Sequence, residues 1–171
     1  TPNRSRGVRI TVSTSCFVPK SHTPFQWEAQ NTQEEYLRKV TLLREHMRNK
    51  SITYNWHDPE TSYLEAVLSR GDRRIADVIE EAWRHGAKFD SWSEYFNLQT
   101  WLTAMETCGV SPAFYANRVR EKDEILPWHV ISDGVKESYL WRERETAYAG
   151  KITPDCKVKC SGCGADKLCK G

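Results

Sequence analysis

Four of the chain's six cysteines fall within "DCKVKCSGCGADKLCKG", residues 155–171, at the spacing C-x3-C-x2-C-x5-C. Soft thiolates gathered this densely suit a tetrahedral S4 site, for which zinc and a [4Fe–4S] cluster both qualify. Gly162 and Gly164 allow the tight turn in which backbone amides face the sulfurs, and Lys157, Lys159 and Lys167 offset part of the thiolate charge. The expected metal ligands are therefore Cys156, Cys160, Cys163 and Cys169. A structural metal knuckle is the first reading and an accessory or electron-relaying iron–sulfur cluster the second. Cys16 and Cys108 lie far away in apolar settings, so a framework of three disulfides fits poorly.

Two other stretches carry chemistry-bearing side chains. In "FVPKSHTPFQW" (17–27), His22 could meet a cofactor or donate a proton, with Phe25 and Trp27 as rigid aromatic walls; alternatively the aromatics pin the loop and His22 satisfies a local carbonyl. In "SRGDRR" (69–74), Arg70, Asp72 and Arg73 could clamp an anionic ligand, or Asp72 could open a helix with the arginines pairing to nearby acids. These six residues form the expected cofactor-binding set. The adjacent His57-Asp58 pair lacks a third ligand at a diagnostic interval, and His85 suits a helix end. No phosphate loop, dinucleotide fingerprint, HExxH or Ser-His-Asp order is present.

The elements that would position these groups are mostly helical. Val8, Ile10 and Val12 alternate, predicting a strand that ends between Ser13 and Cys16. Thr32 and Glu35 have capping-box spacing ahead of Tyr36, Val40, Leu43 and Met47, which predicts a helix of about four turns. "SITYNWHD" reads as a short strand, able to pair with the first in a small sheet. Ser62 with Glu65 predicts the next helix, and Asp72 another that buries Ile75, Val78, Ile79, Ala82 and Trp83. Ser91 with Glu94 predicts a third, burying Tyr95, Leu98, Leu102 and Met105. Ser111-Pro112 starts one more, and a last runs from about Val135 to Ala149. So little strand either makes that small sheet or joins strands N-terminal to Thr1, as expected of the C-terminal piece of a longer protein.

Composition narrows the partners. Over 171 residues, 39% are hydrophobic and 28% charged, as expected of a folded domain with a tail. Twenty-five Lys plus Arg against 23 Asp plus Glu give +2, no field for gathering nucleic acid. No apolar run approaches a membrane span and no secretory signal opens the chain, so a soluble, cytoplasmic protein is expected.

"FVPKSHTPFQW", "SYLEAVLSRGDRR" (62–74), "FDSW" (89–92), "LPW" (126–128) and "TPDCKVKCSGCG" (153–164), in this order, resemble the C-terminal part of a functionally uncharacterised radical S-adenosylmethionine (SAM) family with a cobalamin-binding module. The first three tail cysteines also match the spacing that holds the SAM cluster, but position after the helical body argues against that role here. The resemblance implies a mostly α chain with minor β: a C-terminal fragment of a partial (β/α)6 barrel, a helical extension and a metal-binding tail. It implies segments at 1–30 (last barrel strand and cofactor-facing loop), 31–150 (helical domain) and 151–171 (tail). SAM, cobalamin and a [4Fe–4S] cluster would belong to the full-length enzyme, with its missing N-terminal regions as the partner. This piece would support the mouth of the active site, in methyl transfer or radical rearrangement, without catalysing alone. The alternative is a helical protein- or RNA-interaction module with a structural zinc knuckle.

Overall fold

The computed structural model describes residues 7–165. The chain begins with a βαβ unit: strand β1 (Ile10–Thr14), helix α1 (Gln33–His46) and strand β2 (Ile52–Trp56). The strands pair in parallel, with Ile10 opposite Ile52 and Thr14 opposite Trp56. A parallel pair requires a crossover, and α1 supplies it. The Thr32 hydroxyl caps α1 by accepting from the Glu35 N–H at 3.3 Å, and Tyr36 and Val40 form its buried stripe.

The expected barrel fragment is not what forms. Among the described residues the fold is mostly helical with one open two-stranded sheet. After Trp56 the apolar residues recur at helical intervals, so among the described residues there is no third strand to carry the curvature that a barrel wall needs.

Among the described residues five helices follow: α2 (Pro59–Arg70), α3 (Ile75–Arg84), α4 (Leu98–Thr107), α5 (Pro112–Ala116) and α6 (Glu137–Tyr148), with a 3-10 turn at Pro127–Val130 before α6. Three starts differ from expectation. Helix α3 begins at Ile75 and not at Asp72, whose carboxylate is taken up by the Arg74 N–H and guanidinium in the preceding turn. Helix α2 begins at Pro59 because Asp58 accepts from the Thr61 N–H at 3.0 Å and proline suits the first helical position; Ser62 is buried inside the helix instead. Helix α4 begins after Asn97, whose side chain accepts from the Gln99 and Thr100 N–H groups. Residues 91–95 are therefore turns and a bend, and Tyr95 is exposed.

Two clusters make the core. Helices α2–α5 enclose Val67, Val78, Ala82, Ala104, Met105 and Ala116, among others. A smaller cluster joins Trp27 of the first loop to Leu126, Trp128 and Leu140. Ile79 and Trp83, expected inside, face solvent, because α3 buries the stripe of Ile75, Val78 and Ala82. The α2–α3 corner depends on Gly71, where a Cβ would lie 2.2 Å from Ile75 Cγ1; the need there is for close approach. Among the described residues no helix is long and apolar enough to cross a membrane.

Candidate functional site

The structure separates the expected cofactor set. Arg70 is fully buried in the body. Its guanidinium donates to the carbonyls of Tyr115 (2.8 Å), Glu28 (2.5 Å) and Arg118 (3.5 Å), tying α2 to α5 and to the first loop. Burial pushes its pKa down to about 10, with the Arg120 and Arg118 charges adding to the effect. Arg70 is a structural clamp, occupied by backbone. Asp72 is held by Arg74 at 2.6 Å, which keeps its carboxyl well below the usual carboxylate range. Arg73 is exposed, on a groove that Asp72, Pro127 and Val130 also line.

The loop residues also divide. Trp27 is sealed in the core, 5.0 Å from the Trp141 ring, and Phe25 packs edge-on against Phe17 and Tyr148. His22 is different. It adopts φ 56, a left-handed conformation that costs a non-glycine residue energy. Its ring lies 3.7 Å from the Asp133 carboxylate, 111 residues further along the chain.

The tail overturns the metal expectations. Among the described residues, no group of three or more His, Cys, Asp or Glu side chains could hold a metal ion. Cys156, Cys160 and Cys163 are free thiols, the first two exposed, and Cys169 lies outside the described residues. The local hydrogen bonding explains why the thiols do not converge. Asp155 accepts from the N–H groups of Lys157, Val158 and Lys159, winding the backbone after Cys156 into its own turn. The Cys163 carbonyl accepts from the Lys136 N–H at 2.7 Å, and Arg142 donates to the Ser161 carbonyl, so the next stretch is fixed onto α6 by its backbone. Among the described residues nothing therefore supports zinc, iron–sulfur, SAM or cobalamin as a cofactor. The radical SAM enzyme fragment and the zinc-knuckle interaction module both fall with them.

What remains exposed, and incompletely satisfied, is the sheet. The Ile10 N–H donates to the Ser51 carbonyl at 2.8 Å, and the His57 N–H to the Thr14 carbonyl at 2.9 Å. In a parallel ladder, one strand's alternate residues direct both backbone groups to the neighbour. Ile10, Val12 and Thr14 are thus turned toward β2. Thr11 and Ser13 direct their N–H and C=O groups outward, along the free edge of β1. Val8 and Ile10, both about half exposed or more, flank that edge.

The two faces of the sheet differ as well. Ile10, Val12, Thr14, Ile52, Tyr54 and Trp56 share one face, where the Thr14 and Tyr54 hydroxyls bond at 2.8 Å and Arg44 of α1 lies over the Trp56 ring. Tyr36 of α1 seals its far end, donating to the His57 carbonyl, and burial pushes its phenol up to about 12. The other face carries the exposed polar side chains of Thr11, Ser13, Thr53 and Asn55.

No protein-family model, curated protein or solved structure matches the chain. Sequence reasoning identified both strands; it missed which backbone groups stay unpaired, because register is set by pairing and not by composition.

Proposed function

We propose that this chain is a docking module, which joins a parallel sheet of a partner polypeptide by strand addition along β1. The observation that carries the reading is the outward row of Thr11 and Ser13 backbone groups on a two-stranded parallel sheet. Parallel sheets occur almost entirely as larger, covered assemblies, and a two-stranded unit is marginal alone. Strand addition supplies the missing ladder, with main-chain bonds providing affinity and the flanking Val8 and Ile10 side chains providing apolar contact. The partner presents an edge strand of its own, parallel to β1. A preceding stretch of the same polypeptide, the partner implied by the motif resemblance, fits that description.

The test places a photo-crosslinking side chain at Arg9, exposed beside the edge, and compares Ser13→Pro with Ser13→Ala in cells. Proline removes the outward N–H without touching the bonds to β2. A cross-link to one defined peptide, retained in Ser13→Ala and lost in Ser13→Pro, supports the proposal. Equal cross-linking in the two variants would sink it.

A further inference from the structure

A cleft of about 320 Å³ opens between the 122–125 segment and the start of α6, with Trp27 and Trp141 among its walls. Nothing about the sheet edge requires it. Trp27 forms the back wall and is fully enclosed, yet its indole N–H has no acceptor among the described residues. The neighbouring Trp141 ring, 5.0 Å away between centres, already carries two cations: Lys122 lies over it at 5.5 Å and Arg144 at 4.7 Å. A buried donor left without a partner marks a place where a ligand oxygen fits.

The charged groups of the cleft divide into paired acids and unpaired donors. Glu124 is held by Arg118 at 2.5 Å. Glu137 faces His129 Nε2 at 3.3 Å; His129 Nδ1 accepts from the Leu126 N–H, so the ring proton sits on Nε2 and meets that carboxylate. Lys122, by contrast, pairs with no carboxylate among the described residues. Ser138 stands in the first turn of α6, a helix whose cap residue Lys136 supplies no side-chain bond, so its opening amides favour a negative group. Asp123 is the unpaired acid, and it is exposed at the rim.

We infer that this cleft binds a small organic monocarboxylate with a flat apolar body. One carboxylate oxygen accepts from the Trp27 indole, and the other lies between the Lys122 ammonium and the first turn of α6. The exposed Ile125 side chain and the Trp141 ring cover the body. The Asp123 charge at the rim disfavours a second negative charge, so a dianion such as phosphate does not suit the same walls.

The test is a nuclear magnetic resonance titration of the full chain with benzoate, with benzamide as the neutral isostere. The Trp27 indole proton should move downfield and saturate with benzoate, while those of Trp83 and Trp92, which do not line the cleft, stay in place. Lys122→Met keeps the length of the side chain and removes its charge. It should weaken benzoate binding by about tenfold or more, the difference between a charge-assisted and a neutral hydrogen bond. Three results would each overturn the inference: equal affinity for benzamide, unchanged affinity in a Lys122→Met chain with parental signal dispersion, or no saturation up to about 100 mM. Should the variant lose that dispersion, the contrast between benzoate and benzamide in the parent chain decides alone.

Discussion

The helical body and the βαβ unit solve the problem of backbone polarity in opposite ways. In the body, even irregular carbonyls find partners: Tyr115, Glu28 and Arg118 share one buried guanidinium, and Arg120 donates to the Arg70 carbonyl at 2.7 Å. In the βαβ unit, the backbone groups of Thr11 and Ser13 in β1 face away from β2, the one neighbour β1 has among the described residues. The body spends charge on closing itself; the sheet leaves neutral groups open. Self-contained stability therefore resides in α2–α5, and the capacity to associate resides in β1.

The largest effect should come from opening the closed region. Arg70→Met leaves one buried and two part-buried carbonyls without their donor and should cost about 3–5 kcal/mol, by analogy with breaking a buried charged network. Urea unfolding measures it; an unchanged midpoint would remove the clamp from the account. Gly71→Ala comes next, at about 1–3 kcal/mol for overpacking against Ile75, read as a drop in melting temperature.

A proline pair then probes the open region. Val12→Pro deletes an inward N–H and should cost about 1–3 kcal/mol while exposing the β2 amides to hydrogen exchange. Ser13→Pro should stay within about 0.5 kcal/mol of the parent, because the lost N–H has no partner among the described residues. If the two variants exchange alike, the assignment of inward and outward residues is wrong.

Acid should separate the regions more gently. Arg118 at 2.5 Å lowers the Glu124 carboxyl below its ordinary 4.5. A carboxyl depressed in the folded state contributes stability above its unfolded value and loses it as pH falls through the folded one. Stability should thus decline below about pH 4.5, and Glu124→Gln should flatten that decline in a series of melts across pH 2–6.

Local signals in the chain were informative wherever a single cap had no competitor. Thr32 and Ser111-Pro112 each mark a true helix start. Where two candidates stood close together, spacing chose the wrong one: Asp58 followed by proline outcompetes Ser62, and Asn97 outcompetes Ser91. The cysteine motif failed for a different reason. Spacing along the chain says the thiols are near one another in sequence, but Asp155 and Lys136 take up the intervening backbone and decide where the sulfurs go. The His22–Asp133 approach was beyond reading, since neither residue carries a local signal of the other across 111 positions. Of the expected cofactor residues, His22 lies on a cleft it shares with Asp133, and Arg70 illustrates how a conspicuous charge can be wholly committed to holding carbonyls.

Trp27 gives the open strand a mechanical property. It follows Thr14 by thirteen residues and is fully enclosed, while Pro19 and Gln26 between them are buried too. The strand is thus rooted, and is not carried on a slack tether. A partner that grips β1 would hold the whole helical body at a set angle, as a keel holds a hull, and tension along the strand would meet the buried Pro19 before it reached that indole.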